Sequence, residues 1–135
     1  MTTFRIKSAA SDAELLLHSR NGDHFQVTFS SSALTCHQDV WAYTDADGLA
    51  RLFERLGAQT RPWSEPLCWA SMEREFKLTA TCDWRGSVTF NLELHPSGSP
   101  EEWQVKTRLH CEFGQLPALA KSARAFLAQR TPEHG

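Results

Sequence analysis

No apolar run in the chain approaches the ~18 residues that a membrane-spanning helix needs. The N-terminus, Met1-Thr2-Thr3-Phe4-Arg5, lacks a basic start followed by an apolar run. That pattern predicts no secretory signal and a cytoplasmic protein. Basic excess is also missing: 14 Lys and Arg stand against 16 Asp and Glu, a formal charge of -2. Direct nucleic-acid binding is therefore not expected, because a phosphate backbone calls for a clustered basic face. There is no Gly-rich phosphate loop and no Gly-x-Ser-x-Gly elbow, so nucleotide binding and a serine hydrolase lack support. Four cysteines, at 36, 68, 82 and 111, form no Cys-x-x-Cys pair. In a reducing compartment they read as free, mostly buried thiols.

What remains is an ordinary soluble globule with 41% apolar and 22% charged residues. At 135 residues it is one domain by length, large enough to fold without a metal or disulfide. We place that domain at residues 1–130, with a disordered tail at 131–135.

The organising stretch runs from Trp69 to Phe113. Phe76, Leu78, Ala80 and Cys82 alternate with Lys77, Thr79 and Thr81. Val88, Phe90, Leu92 and Leu94 alternate with Thr89, Asn91 and Glu93. Trp103, Val105, Thr107, Leu109, Cys111 and Phe113 alternate with Gln104, Lys106, Arg108 and His110. Period-2 alternation gives each strand one face to bury and one to wet, the habit of antiparallel sheets. Turn residues separate the runs: Asp83 to Gly86, then Pro96 to Pro100. The three strands form a meander.

Upstream, Phe4 and Ile6 mark a short strand and Glu14 to Arg20 a second. Asn21-Gly22 marks a tight hairpin turn. His24 to Leu34 is the third strand, weakened at its end by Ser30 to Ser32. Cys36 to Tyr43 adds a further extended segment. Thr44 can cap a helix over residues 45–56, whose stripe is Leu49, Leu52, Phe53 and Leu56; Gly57 reads as its stop. Pro117 suits the first turn of a second helix, with Leu116, Leu119, Ala120, Ala123, Phe126 and Leu127 on one face and an end near Arg130. The order β-β-β-(β)-α-β-β-β-α is an α+β pattern. Its simplest packing is one curved antiparallel sheet with both helices on the apolar face.

Chemistry-bearing groups are sparse. Cys36-His37 and His110-Cys111 are soft pairs, but strand neighbours point to opposite faces and the spacing matches no common zinc pattern. Glu73 and Glu75 read as solvated charges beside Arg74. We assign no metal, no cofactor and no catalytic residue.

Aromatics carry more. Five tryptophans are many for this length. Trp69 and Trp103 fall on or beside the core pattern. Trp84 falls on a hairpin tip, Trp63 in a Pro-bracketed loop, and Trp41 and Tyr43 beside the acidic stretch Asp39, Asp45 and Asp47. Exposed loop aromatics are the usual anchors of a binding surface, and acidic neighbours steer a basic partner. The candidate contact set is Asp39, Trp41, Tyr43, Asp45, Asp47, Trp63, Glu65, Trp84 and Arg85.

Several runs carry a family resemblance. They are Trp69-Ala70-Ser71-Met72-Glu73, Phe76 through Asp83, Gly86-Ser87-Val88-Thr89-Phe90, Trp103, and Gly114-Gln115-Leu116, with Gly48-Leu49-Ala50 at the first helix. Together they resemble a family of small uncharacterised bacterial proteins with a Trp-x-Ser-x-Glu, Leu-x-Ala-Thr and Gly-x-Val pattern. Trp84-Arg85 stands where that family more often has small residues. The element order is similar to that of immunity proteins of the Wap type. That second resemblance implies a protein that binds a cognate toxin domain, such as a basic nuclease or deaminase, and blocks it without chemistry. A small-ligand-binding domain, with its ligand between sheet and helices, is the alternative, and an enzyme ranks below it. The oligomeric state is not legible.

Overall fold

The computed structural model describes residues 3–41, 46–71, 73–96 and 103–127, and for 46 and 47 the backbone only. Its elements are β1 (Phe4–Lys7), β2 (Glu14–Asn21), β3 (His24–Ser30), β4 (Thr35–Trp41), α1 (Ala46–Gly57), β5 (Leu67–Ala70), β6 (Phe76–Cys82), β7 (Ser87–Leu94) and β8 (Val105–Glu112). A 3-10 turn (Phe113–Gln115) then leads into α2 (Leu116–Leu127). The fold is α+β, as expected. The Thr44 cap, the 97–100 part of the second turn, the end of α2 and the tail at 131–135 lie outside the described residues.

The strands divide into two antiparallel meanders, β1-β2-β3-β4 and β5-β6-β7-β8, where one continuous sheet is the simplest packing. They meet just past β1. There the Ala9 N–H donates to the His110 carbonyl at 2.7 Å, and the His110 N–H donates to Ser8 Oγ at 3.2 Å. The ladder goes no further because β1 is four residues long and the chain then turns back, Ser8 N–H bonding the Ala13 carbonyl at 2.9 Å.

Local chemistry explains the ends of the elements. Asn21 pairs with His24, so the tight turn holds Gly22 and Asp23, one residue later than the Asn-Gly signal suggests. Gly22 has φ 63 and Asp23 does not share the positive sign, the type II′ habit. The shift is absorbed by an irregularity between His18 and Asn21, where Ser19 adopts φ 57. β3 stops at Ser30, short of Leu34, because the Ser31 hydroxyl accepts the Ala33 and Leu34 N–H groups, both at 3.2 Å.

Both sheets turn their apolar faces to the helices. Leu15, Leu17, Phe25, Val27 and Phe29 are buried on the first sheet, and Phe76, Leu78, Val88, Phe90, Leu92 and Leu94 on the second. The predicted α1 stripe, Leu49, Leu52, Phe53 and Leu56, is buried throughout. Rings stitch the layers together. Phe53 meets Phe4 edge-on at 4.8 Å and stacks on Phe90 at 6.0 Å. Phe25 meets Phe76 at 6.5 Å and Phe126 at 6.0 Å. Such pairs add about 0.5–1.5 kcal/mol each beyond the area they bury. One continuous hydrophobic cluster therefore spans both meanders and both helices. It lies between the sheets and the helices.

The meander face is less complete than its pattern. Trp103 precedes β8 and is 40% exposed, so it is not a core residue. In β8, an edge strand, burial is deep only at Leu109 and Cys111, while Val105 packs against the core half-buried.

Gly57 ends α1, but it is not among the positive-φ residues, so a left-handed cap is not its role. A Cβ placed there would lie 2.6 Å from the Cβ of Ala120 on α2. The glycine is where the two helices touch. Further along α2, Arg20 Nη1, from the β2–β3 hairpin, donates to the Leu127 carbonyl at 2.8 Å.

Glu75 departs furthest from expectation. It is 3% exposed, while its neighbours Glu73 and Arg74 face solvent. The chain leaves β5, reverses with Arg74 at φ 61, and turns Glu75 inward. Ser71 Oγ–H donates to Oε1, and the Trp41 N–H donates to Oε2 at 3.2 Å. Its own carbonyl accepts the His95 N–H at 3.1 Å. The carboxylate thus joins the end of the first meander to the start of the second.

Two outcomes follow from these contacts. Gly57→Ala should destabilise the fold by about 1–2 kcal/mol, although alanine gains about 1 kcal/mol of helix propensity. Adding Ala120→Gly should restore part of the loss in urea melts. Glu75→Ala should cost about 2–3 kcal/mol by removing the carboxylate that accepts from the Trp41 N–H and the Ser71 hydroxyl, and Glu75→Gln clearly less. Equal losses for the two Glu75 variants would show that packing, not hydrogen bonding, sets the effect.

Candidate functional site

The β6–β7 turn is built by one side chain. Asp83 Oδ1 accepts the Arg85 N–H at 2.9 Å and the Ser87 N–H at 3.0 Å. The Asp83 carbonyl accepts the Gly86 N–H at 3.0 Å, and its N–H bonds the Ser87 carbonyl at 3.0 Å. Gly86 takes φ 89, which L side chains avoid, and its carbonyl accepts the Phe113 N–H at 2.9 Å. This is a turn closed by a glycine in the left-handed region. Its central residues point outward. Trp84 is 82% exposed, and the Arg85 guanidinium lies 5.0 Å from the indole centroid.

Beside this tip runs an open groove of about 600 Å³, lined among others by Gln59, Arg61, Trp63, Glu65, Cys82 and Trp84. Trp63 forms its inner wall. The ring is half-buried, tilted against Phe113 at 6.4 Å. Its Nε1–H is shielded from solvent and has no acceptor. Its backbone N–H faces the Cys82 sulfur. Burial pushes the Cys82 thiol up; that N–H lowers it and the Asp83 carboxylate raises it. The thiol donates to the Asp83 carbonyl at 3.4 Å.

The candidate contacts separate into two groups. Trp63, Glu65, Trp84 and Arg85 surround the groove or its rim. Asp39 and Trp41 lie on β4, where Trp41 is half-buried and stacks on His24 at 6.0 Å. The β4 end meets Glu75, just before β6, and Trp84 follows β6. The seven residues of β6, roughly 20 Å of strand, separate the groups. Asp47 belongs to α1, but its side chain, like Tyr43 and Asp45, lies outside the described residues. Gln59, Arg61 and Cys82 were missed as groove residues. The first two sit in a loop without periodicity, and Cys82 reads as the last core position of its strand.

The remaining ionisable groups sit elsewhere. Cys36 and Cys111 are buried on core faces, whereas His37 is exposed and His110 half-buried beside Thr89 Oγ1 at 3.3 Å. On the outer face of the first sheet, His18 Nε2 and His37 Nδ1 each lie 3.0 Å from Thr28 Oγ1. Among the described residues no group of three or more His, Cys, Asp or Glu is placed to hold a metal, and no helix is long and apolar enough to cross a membrane.

In comparison with known proteins, the sequence pattern described as "Family of unknown function (DUF6228)" matches residues 6–130. No curated protein and no solved structure matches the chain.

The thiols give a measurable pH dependence. Burial pushes Cys111 up to about 11, with the Glu112 carboxylate and Cys82 adding to it, and burial also raises Cys36. Above the ordinary thiol value of 9.0 the unfolded chain loses the Cys111 proton and the folded chain keeps it. Stability present below that value is therefore lost as pH rises toward 11. Urea midpoints at about pH 8 and about pH 10.5 should differ by up to about 2 kcal/mol from this residue, and Cys111→Ala should flatten the slope.

Proposed function

We propose that this chain, which belongs to the DUF6228 family, is an immunity protein that binds a bacterial toxin domain and occludes its active site or substrate path. The observation that carries the reading is Trp84. A large indole left 82% exposed costs solubility unless something covers it, and here a turn holds it outward through four hydrogen bonds on Asp83. A rigid aromatic loses little entropy on contact, so the turn is pre-organised for binding. Arg85 on the ring adds the second residue type enriched among binding anchors.

Occlusion needs only surface. About 800 Å² on this side suffices, a patch roughly 30 Å across, wider than the strand between Trp84 and Trp41. Exposed Asp39 at the far end would speed encounter with a basic partner such as a nuclease or deaminase domain. The protein would act in the cytoplasm, where such a toxin finds its substrate.

A second reading, a small-ligand site, is favoured by one observation: the groove's volume lies in the range of ligand pockets.

The test is to take a toxin domain encoded next to this gene in its native host, measure its binding to the purified protein by pull-down, and follow with calorimetry. Trp84→Ala should weaken binding by at least about 2 kcal/mol, with the thermal midpoint unchanged. Unaltered affinity would remove Trp84 from the interface. No toxin captured, with a metabolite retained by the purified protein, would favour the second reading.

A further inference from the structure

β4 is an outer strand of the first sheet. Two hydrogen bonds show which of its backbone groups face outward. The Ser31 N–H donates to the Leu34 carbonyl at 2.8 Å, so the next pair, Ser30 and Thr35, points its backbone groups away from the β3–β4 ladder. Alternation then turns Thr35, His37, Asp39 and Trp41 to the outer side, and the Trp41 N–H does leave the ladder, reaching Glu75 at 3.2 Å. Among the described residues the N–H groups of Thr35, His37 and Asp39 have no partner, and all three residues are exposed. Proteins blunt such edges with lysine, proline, a bulge or a very short strand. The outer strand of the second sheet, β5, is four residues long. β4 carries none of these devices: it reads Thr-Cys-His-Gln-Asp-Val-Trp, and its seven residues pair with β3 in one unbroken register. We propose that a second copy of this chain adds its own β4 to this edge, antiparallel about a two-fold axis at Gln38, with His37 of each copy facing Asp39 of the other.

The strand selects a copy of itself, and one register. With the axis at Gln38 all seven residues overlap. On the outer face His37 stands opposite Asp39 twice, and on the inner face Cys36 stands opposite Val40 twice. An axis at His37 would set imidazole against imidazole and Cys36 against Gln38. An axis at Asp39 would set carboxylate against carboxylate, which is destabilising. An axis between residues would join the buried face of one copy to the wet face of the other. In a hydrogen-bonded antiparallel pair the Cα atoms lie about 5.5 Å apart, close enough for imidazole and carboxylate to bond. Thr28 Oγ1 occupies the Nδ1 side of His37 at 3.0 Å, which leaves Nε2 to donate. The Asp39 carboxylate has no partner among the described residues. Its backbone carbonyl accepts Gln38 Nε2 at 2.9 Å, and the second lone pair stays open to the His37 N–H of the second copy. A strand from a purely basic partner would satisfy Asp39 but offer His37 no acceptor. This inference stands apart from the toxin reading, which rests on Trp84 past the other end of β6.

The test is sedimentation equilibrium on the full chain from about 10 μM to about 0.5 mM, the range in which a small interface dissociates. The mass should rise with concentration from 15.3 kDa toward twice that value. Asp39→Lys sets an ammonium against both imidazoles and should weaken the dimer about tenfold or more. The double variant His37→Asp with Asp39→His keeps the opposed pair with its sides exchanged, and should return the dissociation constant to within about threefold of the parent. His37→Pro, tolerated on an edge strand where the N–H faces outward, should abolish pairing. A chain that stays at 15.3 kDa throughout overturns the inference. So does a dimer that Asp39→Lys leaves intact, because the copies then meet elsewhere, and so does an exchanged variant that stays as weak as Asp39→Lys, because the register is then wrong. A chain that is monomeric alone and loses a captured toxin on His37→Pro would give the edge to the toxin and overturn pairing between copies.

Discussion

Neither meander can cover its own apolar face, and the architecture follows from that shortage. Each four-stranded sheet buries one side, and each is followed by a single helix of 12 residues. One helix covers a stripe, not a sheet. The helices therefore serve both sheets jointly: Phe53 on α1 touches Phe4 of the first and Phe90 of the second, and Phe126 on α2 meets Phe25, which itself reaches Phe76. Sharing demands that α1 and α2 lie close together. Gly57 against Ala120 is the point where that closeness is set, since any side chain there would force the helices apart.

With the interior committed to packing, the distinctive chemistry lies at the margins. The Glu75 carboxylate is buried yet fully engaged, with Ser71 and the Trp41 backbone as donors. It links the end of the first meander to the start of the second. The other distinctive margin lies past the opposite end of β6, where the Asp83 turn and the Trp63 loop form a groove under an exposed indole. The functional proposals rest on that exposed indole, held out by a short, well-bonded turn above a rigid core.

Legibility in the sequence varied by element in a consistent way. The β6 and β7 alternation, both helix stripes and the Asp83–Gly86 turn could be read because local periodicity and turn chemistry specify them. The Asn21-Gly22 signal found the hairpin but misplaced its centre, because the bulge at Ser19 shifts the register by means no local pattern encodes. Trp103 followed the alternation and still lies outside the core, because an edge strand can outrun the layer it packs on. Of the candidate contacts, Trp63, Glu65, Trp84 and Arg85 were brought together, while Asp39 and Trp41 were set apart at the other end of β6.

The order of side chains determined the α+β class, the strand faces, the helical stripes and the outward Trp84, because each depends on residues within a few positions of one another. Only the tertiary structure decided that the strands part into two sheets, that Gly57 is a helix contact, that Glu75 is an internal clasp and that Trp63 keeps an unused donor beside a groove. Those features join residues tens of positions apart, and which distant groups meet is set by how the two meanders share their helices.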